Sequence, residues 1–171
     1  RGKLFEVDSH NYLSDGKDYA VYKTYDFVDP LGRVCQKGTH VSVNEGNWEW
    51  RFGMELTWND LNQVETLTYP GAGIYYEPRI LRYGYTKGAL SSVQEETEDG
   101  QTQYTFASQF TYHPNGLLQS VLHGNGVSDI QDIANGMARP DSIGTTGALD
   151  PLSGTPNWSS GTYQYDGAGN I

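Results

Sequence analysis

The sequence predicts an all-β fold built as an array of antiparallel β-hairpins. Three observations carry that prediction. From Asn47 to Trp58, the residues Trp48, Trp50, Phe52, Met54, Leu56 and Trp58 alternate with Asn47, Glu49, Arg51, Gly53, Glu55 and Thr57, six matches to a period of two. That alternation puts the large apolar groups on one face of a strand, whereas a helix would scatter them around its circumference. A short turn motif also recurs along the chain at nearly even spacing. Finally, 13 Tyr, 4 Trp and 5 Phe stand beside 21 Gly and 7 Pro in 171 residues, a mixture that favours strands punctuated by tight turns.

Taken in chain order, the first turn is Val28-Asp29-Pro30-Leu31-Gly32-Arg33-Val34, ahead of the Asn47 to Trp58 strand. The second, Trp58-Asn59-Asp60-Leu61-Asn62-Gln63-Val64, closes that strand, and a copy one spacer short follows at Tyr85-Thr86-Lys87-Gly88-Ala89-Leu90. The fourth, Tyr112-His113-Pro114-Asn115-Gly116-Leu117-Leu118, joins an alternating Tyr104 to Tyr112 strand to Leu117–Leu122, and the last is Tyr165-Asp166-Gly167-Ala168-Gly169-Asn170-Ile171. Each copy reads aromatic or branched, turn polar, two spacers, Gly or Asn, any residue, aliphatic. The physics is local: an Asp or Asn side chain accepts from backbone amides two residues on, Gly or Asn takes the left-handed conformation, and the flanking Tyr and aliphatic residue pack across the hairpin. The steps between first residues are 30, 27, 27 and 53, the last close to two periods. A repeat of ~20–50 residues means a stacked or spiralling array.

Those steps divide 1–171 into approximate repeat units 22–46, 47–72, 73–98, 99–126 and 127–171 of a single β segment. One exception is expected, a short helix over Ser128 to Ala138, because Ile130, Ile133, Ala134 and Met137 fall at helical spacing and Ser128 with Gln131 forms a capping-box pattern. Gly136 and Pro140 should stop it. The stretch from Asp141 to Gly161, rich in Gly, Ser, Thr and Pro, reads as loop or irregular strand.

Charge and composition exclude several functions. Against 21 Asp plus Glu there are 11 Lys plus Arg, a net charge of −10, so nucleic acid and anionic membrane would be repelled. With a mean hydropathy of −0.62 and no apolar run near the ~20 residues of a spanning helix, membrane insertion is not expected. Cys35 is the single cysteine, so neither an internal disulfide nor a cysteine-built zinc site can be assembled; it reads as a small strand residue.

His10, His40, His113 and His123 lack ligand spacing, and no metal or other cofactor is assigned. Glu95, Glu96, Glu98 and Asp99 before Gly100 lack the alternating oxygen ligands of a calcium loop and read as a solvated hairpin tip. Asp26 and Asp29 sit inside a turn repeat, which explains them without glycosidase chemistry. Gly71-Ala72-Gly73, Gly124-Asn125-Gly126 and Gly167-Ala168-Gly169 match only half of a phosphate loop, so turns explain them better. Asn157-Trp158-Ser159 is a sequon of the kind that arises by chance. Trp48 and Trp50 on their stripe could stack sugars, although six apolar residues on one face are more often core.

The last turn, with Tyr163 two residues before Tyr165, resembles the tyrosine-aspartate repeat of the Rhs (YD-repeat) family, and Asp29-Pro30-Leu31-Gly32-Arg33-Val34 resembles a second copy. The resemblance spans roughly Tyr22 to Ile171. Val28 stands in place of the tyrosine in the first copy, and Asn59 and His113 in place of the aspartate in the second and fourth. The family's autoproteolytic signature is absent, so no cleavage activity is carried over. The resemblance implies a wall segment of a secreted or surface shell, whose partners are the remaining parts of that shell and an enclosed polypeptide cargo such as a toxin.

On this reading no residue is catalytic. Asp29, Gly32, Arg33, Trp58, Asn62, Tyr85, Gly88, Tyr112, Gly116, Tyr165, Asp166, Gly169 and Asn170 form the structural repeat motif. The alternative is a carbohydrate-binding or cell-surface adhesion module using Trp48 and Trp50. The chain is further expected to be a fragment, breaking off inside its last motif and needing neighbouring repeats to cover its strand edges.

Overall fold

The computed structural model describes residues 3–12, 18–27, 29–43, 48–71, 77–134, 138–147 and 158–170, with the backbone alone at 18 and 48–51. The class is all-β, as expected, with twelve strands and no helix among the described residues. The chain divides into two compact units, Arg1–Leu81 and Arg82–Ile171. Within each, strand order is sequence order and the described ladders are antiparallel.

In the first unit, β1 (Glu6–Tyr12), β2 (Asp18–Asp26), β3 (Gln36–Val43), β4 (Trp48–Trp58) and β5 (Val64–Tyr69) each pair with the next. Thr39↔Phe52 and Gly38↔Gly53 fix the β3–β4 register, and Val21↔Val41 fixes β2–β3. The predicted alternation is visible in exposure, since Met54, Leu56 and Trp58 are half-buried while Gly53, Glu55 and Thr57 are exposed. Phe52 breaks the pattern at 48% exposed.

In the second unit lie β6 (Arg79–Thr86, entered from the end of the first), β7 (Ala89–Glu96), β8 (Thr102–Tyr112), β9 (Leu118–His123), β10 (Ser128–Ile133), β11 (Pro140–Thr146) and β12 (Trp158–Ser159). A register shift in the β8–β9 ladder falls between Ser108 and Thr111, where Gln109 takes φ 52°, a bulge that bends the strand. Glu96 is buried at the end of β7 and receives Arg82 Nε at 2.6 Å. Gly124 has a steric reason to be glycine: its N–H donates to Phe106 O at 2.8 Å, and a Cβ there would collide with Thr105 O and the Tyr104 ring.

The expected helix over Ser128 to Ala138 is corrected by the structure. Ser128–Ile133 is strand β10, paired on one side with β9 (Ser128↔Leu122) and on the other with β11 (Ser128↔Thr146). The β11 ladder runs along Ser128–Ile133 and the β9 ladder along Ser128–Ile130, leaving β-branched Ile130 and Ile133 half-buried, whereas a lone helix of three turns is marginal without an apolar surface to rest on. Pro140 opens β11 instead of stopping a helix, and residues 135–137 lie outside the described set. The stretch read as loop or irregular strand contains β11 and β12, with 148–157 outside the described residues. Cys35 sits just before β3, half-buried, rather than within a strand.

Among the described residues very little is fully enclosed. The buried apolar residues are small or branched, Ala20, Val43, Ala107, Val121 and Val127, and no described side chain is below 2% exposed. Stability must therefore rest on ladders, turns and half-buried cross-strand pairs.

Candidate functional site

Five turns share one geometry: Asn59–Gln63, Thr97–Gln101, His113–Leu117, His123–Val127 and Asp166–Asn170. In each, the first residue's N–H donates to the fifth residue's carbonyl at 2.8–3.0 Å, and the fourth residue's N–H donates to the first residue's carbonyl at 2.8–3.1 Å. The fourth residue is left-handed in every case: Asn62 at φ 61°, Gly100 at 80°, Gly116 and Gly126 at 84°, Gly169 at 90°. This is a type I turn closed by a glycine-type bulge, whose twist matches the strands it joins. Three flanking pairs agree as well, Trp58↔Val64, Glu96↔Thr102 and Tyr112↔Leu118. Asp29–Arg33 keeps the inner bond, Gly32 N–H to Asp29 O at 2.7 Å with Gly32 at φ 69°, but its outer bond is Cys35 N–H to Asp26 O at 2.9 Å. Tyr85-Thr86-Lys87-Gly88 differs because Lys87 (φ 53°) and Gly88 (φ 82°) make a two-residue type I′ turn, which is why that copy is one spacer short.

The first residue of the motif caps the turn. Asp166 Oδ1 accepts from the Ala168 and Asn170 amides, both at 2.9 Å, and Asn59 Oδ1 from Leu61 at 2.9 Å and Gln63 at 3.0 Å. Asp29 Oδ1 accepts from Leu31 at 2.9 Å and Arg33 at 3.3 Å. The fifth residue reaches back, with Arg33 Nε and an Nη on Asp29 at 2.9 and 2.8 Å and Asn170 Nδ2 on Asp166 at 2.9 Å. Arg33, helped by those amides, lowers the Asp29 carboxyl from 3.8 to about 2. Asp166 is lowered in the same direction, chiefly by Asn170. Burial raises the Tyr85 hydroxyl.

Where histidine stands first, the capping task moves two residues on. Asn115 Oδ1 accepts from Leu117 N–H and Asn125 Oδ1 from Val127 N–H, both at 3.1 Å. The imidazoles turn to the neighbouring strand, His113 Nε2 lying 2.8 Å from Gln131 O and His123 Nε2 2.8 Å from Asp129 Oδ2. The sequence marks the turns at Thr97 and His123 only as turns, not as motif copies. The signal was present in His123-Gly124-Asn125-Gly126-Val127, which repeats the spacing of His113-Pro114-Asn115-Gly116-Leu117.

The aromatic before the turn does more than pack. Trp58 Nε1–H donates to Val34 O at 2.8 Å, Tyr112 Oη–H to Leu90 O at 2.8 Å and Tyr165 Oη–H to Pro140 O at 2.6 Å. Each acceptor lies 22 to 25 residues upstream, just past the preceding turn at the same end of the strands. The motif aromatic thus ties its hairpin to the one before. Thr57 with Thr66 (2.6 Å) and Thr111 with Ser120 (2.7 Å) add hydroxyl pairs at matching positions beside two of these turns.

Little else in the described residues resembles a site. The Trp48 and Trp50 side chains lie outside them, as does Val28. No group of three or more His, Cys, Asp or Glu is gathered among the described residues. Two open recesses of about 200 Å³ flank β2 and β3, one lined by Phe5, Asp26 and Gln36, the other by Lys23, Lys37 and Met54. Both fall short of the ~300–1,000 Å³ of an ordinary ligand pocket. Among the described residues no helix is long and apolar enough to cross a membrane.

No family model matches the chain, and no curated protein matches it in sequence. Among solved structures it is similar to the crystal structure of TcdB2-TccC3 without its hypervariable C-terminal region, with a TM-score of 0.64 at 17% identity. The similarity covers 88% of this chain and 7% of that one. What the two chains share is therefore the fold, a sequence-ordered antiparallel array of β-hairpins.

Proposed function

We propose that the chain is a stretch of structural wall in a Rhs-type YD-repeat shell, secreted or held at a cell surface, that encloses a polypeptide cargo such as a toxin. The observation that carries this reading is the turn-and-tie unit: one turn geometry repeated along the chain, with the aromatic before the turn bonded to the preceding hairpin at Trp58, Tyr112 and Tyr165. Such a unit extends a sheet hairpin by hairpin and builds no cleft. The likeness in fold to TcdB2-TccC3 supports it. Its immediate partners are the remaining parts of the same shell. Asp29, Gly32, Arg33, Trp58, Asn62, Tyr85, Gly88, Tyr112, Gly116, Tyr165, Asp166, Gly169 and Asn170 shape and tie hairpins, and none turns over a substrate.

One observation favours a second reading, a carbohydrate-binding or adhesion module: Phe52, on the strand of Trp48 and Trp50, is 48% exposed. The two are separated by limited proteolysis of the full polypeptide together with a glycan array. A wall leaves an enclosed segment resistant to protease until the shell is opened, and gives no glycan signal. Sugar binding that Trp48→Ala or Trp50→Ala abolishes in a folded protein, with no protected segment, would reverse the assignment.

A further inference from the structure

Three cations stand over aromatic residues ahead of turns, Trp58 and Tyr165 directly before the first turn residue and Phe27 two places before Asp29. Lys3 Nζ lies 4.8 Å from the Phe27 ring centroid, the Arg33 guanidinium 5.5 Å from Trp58 and the Arg139 guanidinium 5.4 Å from Tyr165. The separations in sequence are 24, 25 and 26 residues, one hairpin repeat each. Each cation also touches the left-handed fourth residue of the turn that its aromatic introduces. Lys3 Nζ donates to Gly32 O, and Arg33 Nη1 donates to Asn62 Oδ1 at 2.9 Å and Asn59 O at 3.3 Å. Arg139 lies so close over Gly169 that any Cβ there would fall within its guanidinium.

We propose that Lys3, Arg33 and Arg139 are the residues that set the register in which one hairpin is laid on the next, each reading the aromatic and the fourth turn position of its neighbour together. This inference holds whether or not the array belongs to a shell. The geometry is selective because two features must coincide. A ring attracts a cation only over its face, and the fourth position must offer an oxygen, as Gly32 and Asn62 do, or vacant space, as Gly169 does. A slip of one residue along β4 would turn Trp58 to the opposite face and lose both contacts. Arg33 is prepared for the task by its own turn, where Asp29 holds two guanidinium nitrogens and leaves the third for Asn62.

Hydrogen exchange in the full polypeptide that carries this segment tests this by comparing a cation's own turn with the turn it reads. In Arg33→Gln, the Trp58 indole N–H and the Asn62 amide should exchange about tenfold faster, as expected when a charge-assisted contact is lost. The Gly32 amide, bonded to Asp29 O in the turn that the guanidinium also braces through Asp29, should accelerate less than Asn62. Arg33→Lys should restore part of the protection. Arg139→Gln supplies an independent copy, in which the Gly169 and Asn170 amides should be released while the Ala134 amide stays protected. Unchanged rates at Trp58 and Asn62, or equal acceleration in the cation's own turn, would overturn the proposal.

Discussion

Asp29 shows how much one side chain does in this architecture. Its carboxylate accepts two backbone amides and two guanidinium nitrogens, and its side chain is only 12% exposed. The folded pKa of about 2 lies below the ordinary 3.8, so the stabilisation is complete above pH 4 and is lost as pH falls from about 4 towards 2. A carboxyl-carbon NMR titration should place the Asp29 midpoint near 2 and move it upward in Arg33→Gln; a midpoint at the ordinary value would contradict the geometry. This layer was largely legible in sequence, because a cap and a left-handed residue act within five positions. Histidine as first residue was less so: the shift of capping to Asn115 and Asn125 depends on a side chain two residues away, which a position-by-position motif does not register.

At the scale of strands and hairpins, the tie from Tyr112 to Leu90 isolates the bond between neighbours. Tyr112→Phe keeps the ring and removes the donor, leaving Leu90 O without that partner, and should cost about 0.5–1.5 kcal/mol in urea unfolding. No change in midpoint would show that packing alone holds the hairpins together. The alternation in β4 and the hairpin at His113 were readable because period two and turn chemistry are local. The mistaken helix at Ser128–Ala138 has a physical source: Ile130, Ile133 and Ala134 satisfy a helical spacing, but ladders from β9 and β11 decide the outcome, and those partners are not visible within the segment. The cation-to-aromatic spacing of 24–26 residues lay in the sequence, yet it has no meaning until hairpin order is known.

For the molecule as a whole, burial is the governing fact. A sheet ordinarily hides one face under a second layer, and among the described residues the enclosed apolar side chains are small or branched, such as Ala20, Ala107 and Val121, while Phe5, Tyr12 and Phe52 remain open. The all-β array was predictable from pattern. The degree of exposure was not, because a stripe such as Trp48 to Trp58 reads the same whether its face becomes core or the surface of a wall. On the proposed function, this array is laid into a larger wall. Cryo-electron microscopy of the full polypeptide carrying the segment tests it most directly. The expected result is that the strands described here lie within a continuous curved wall, with further hairpins paired at both edges and polypeptide density inside. A sheet standing free on the outside of a compact particle, with no enclosed cavity, would contradict it.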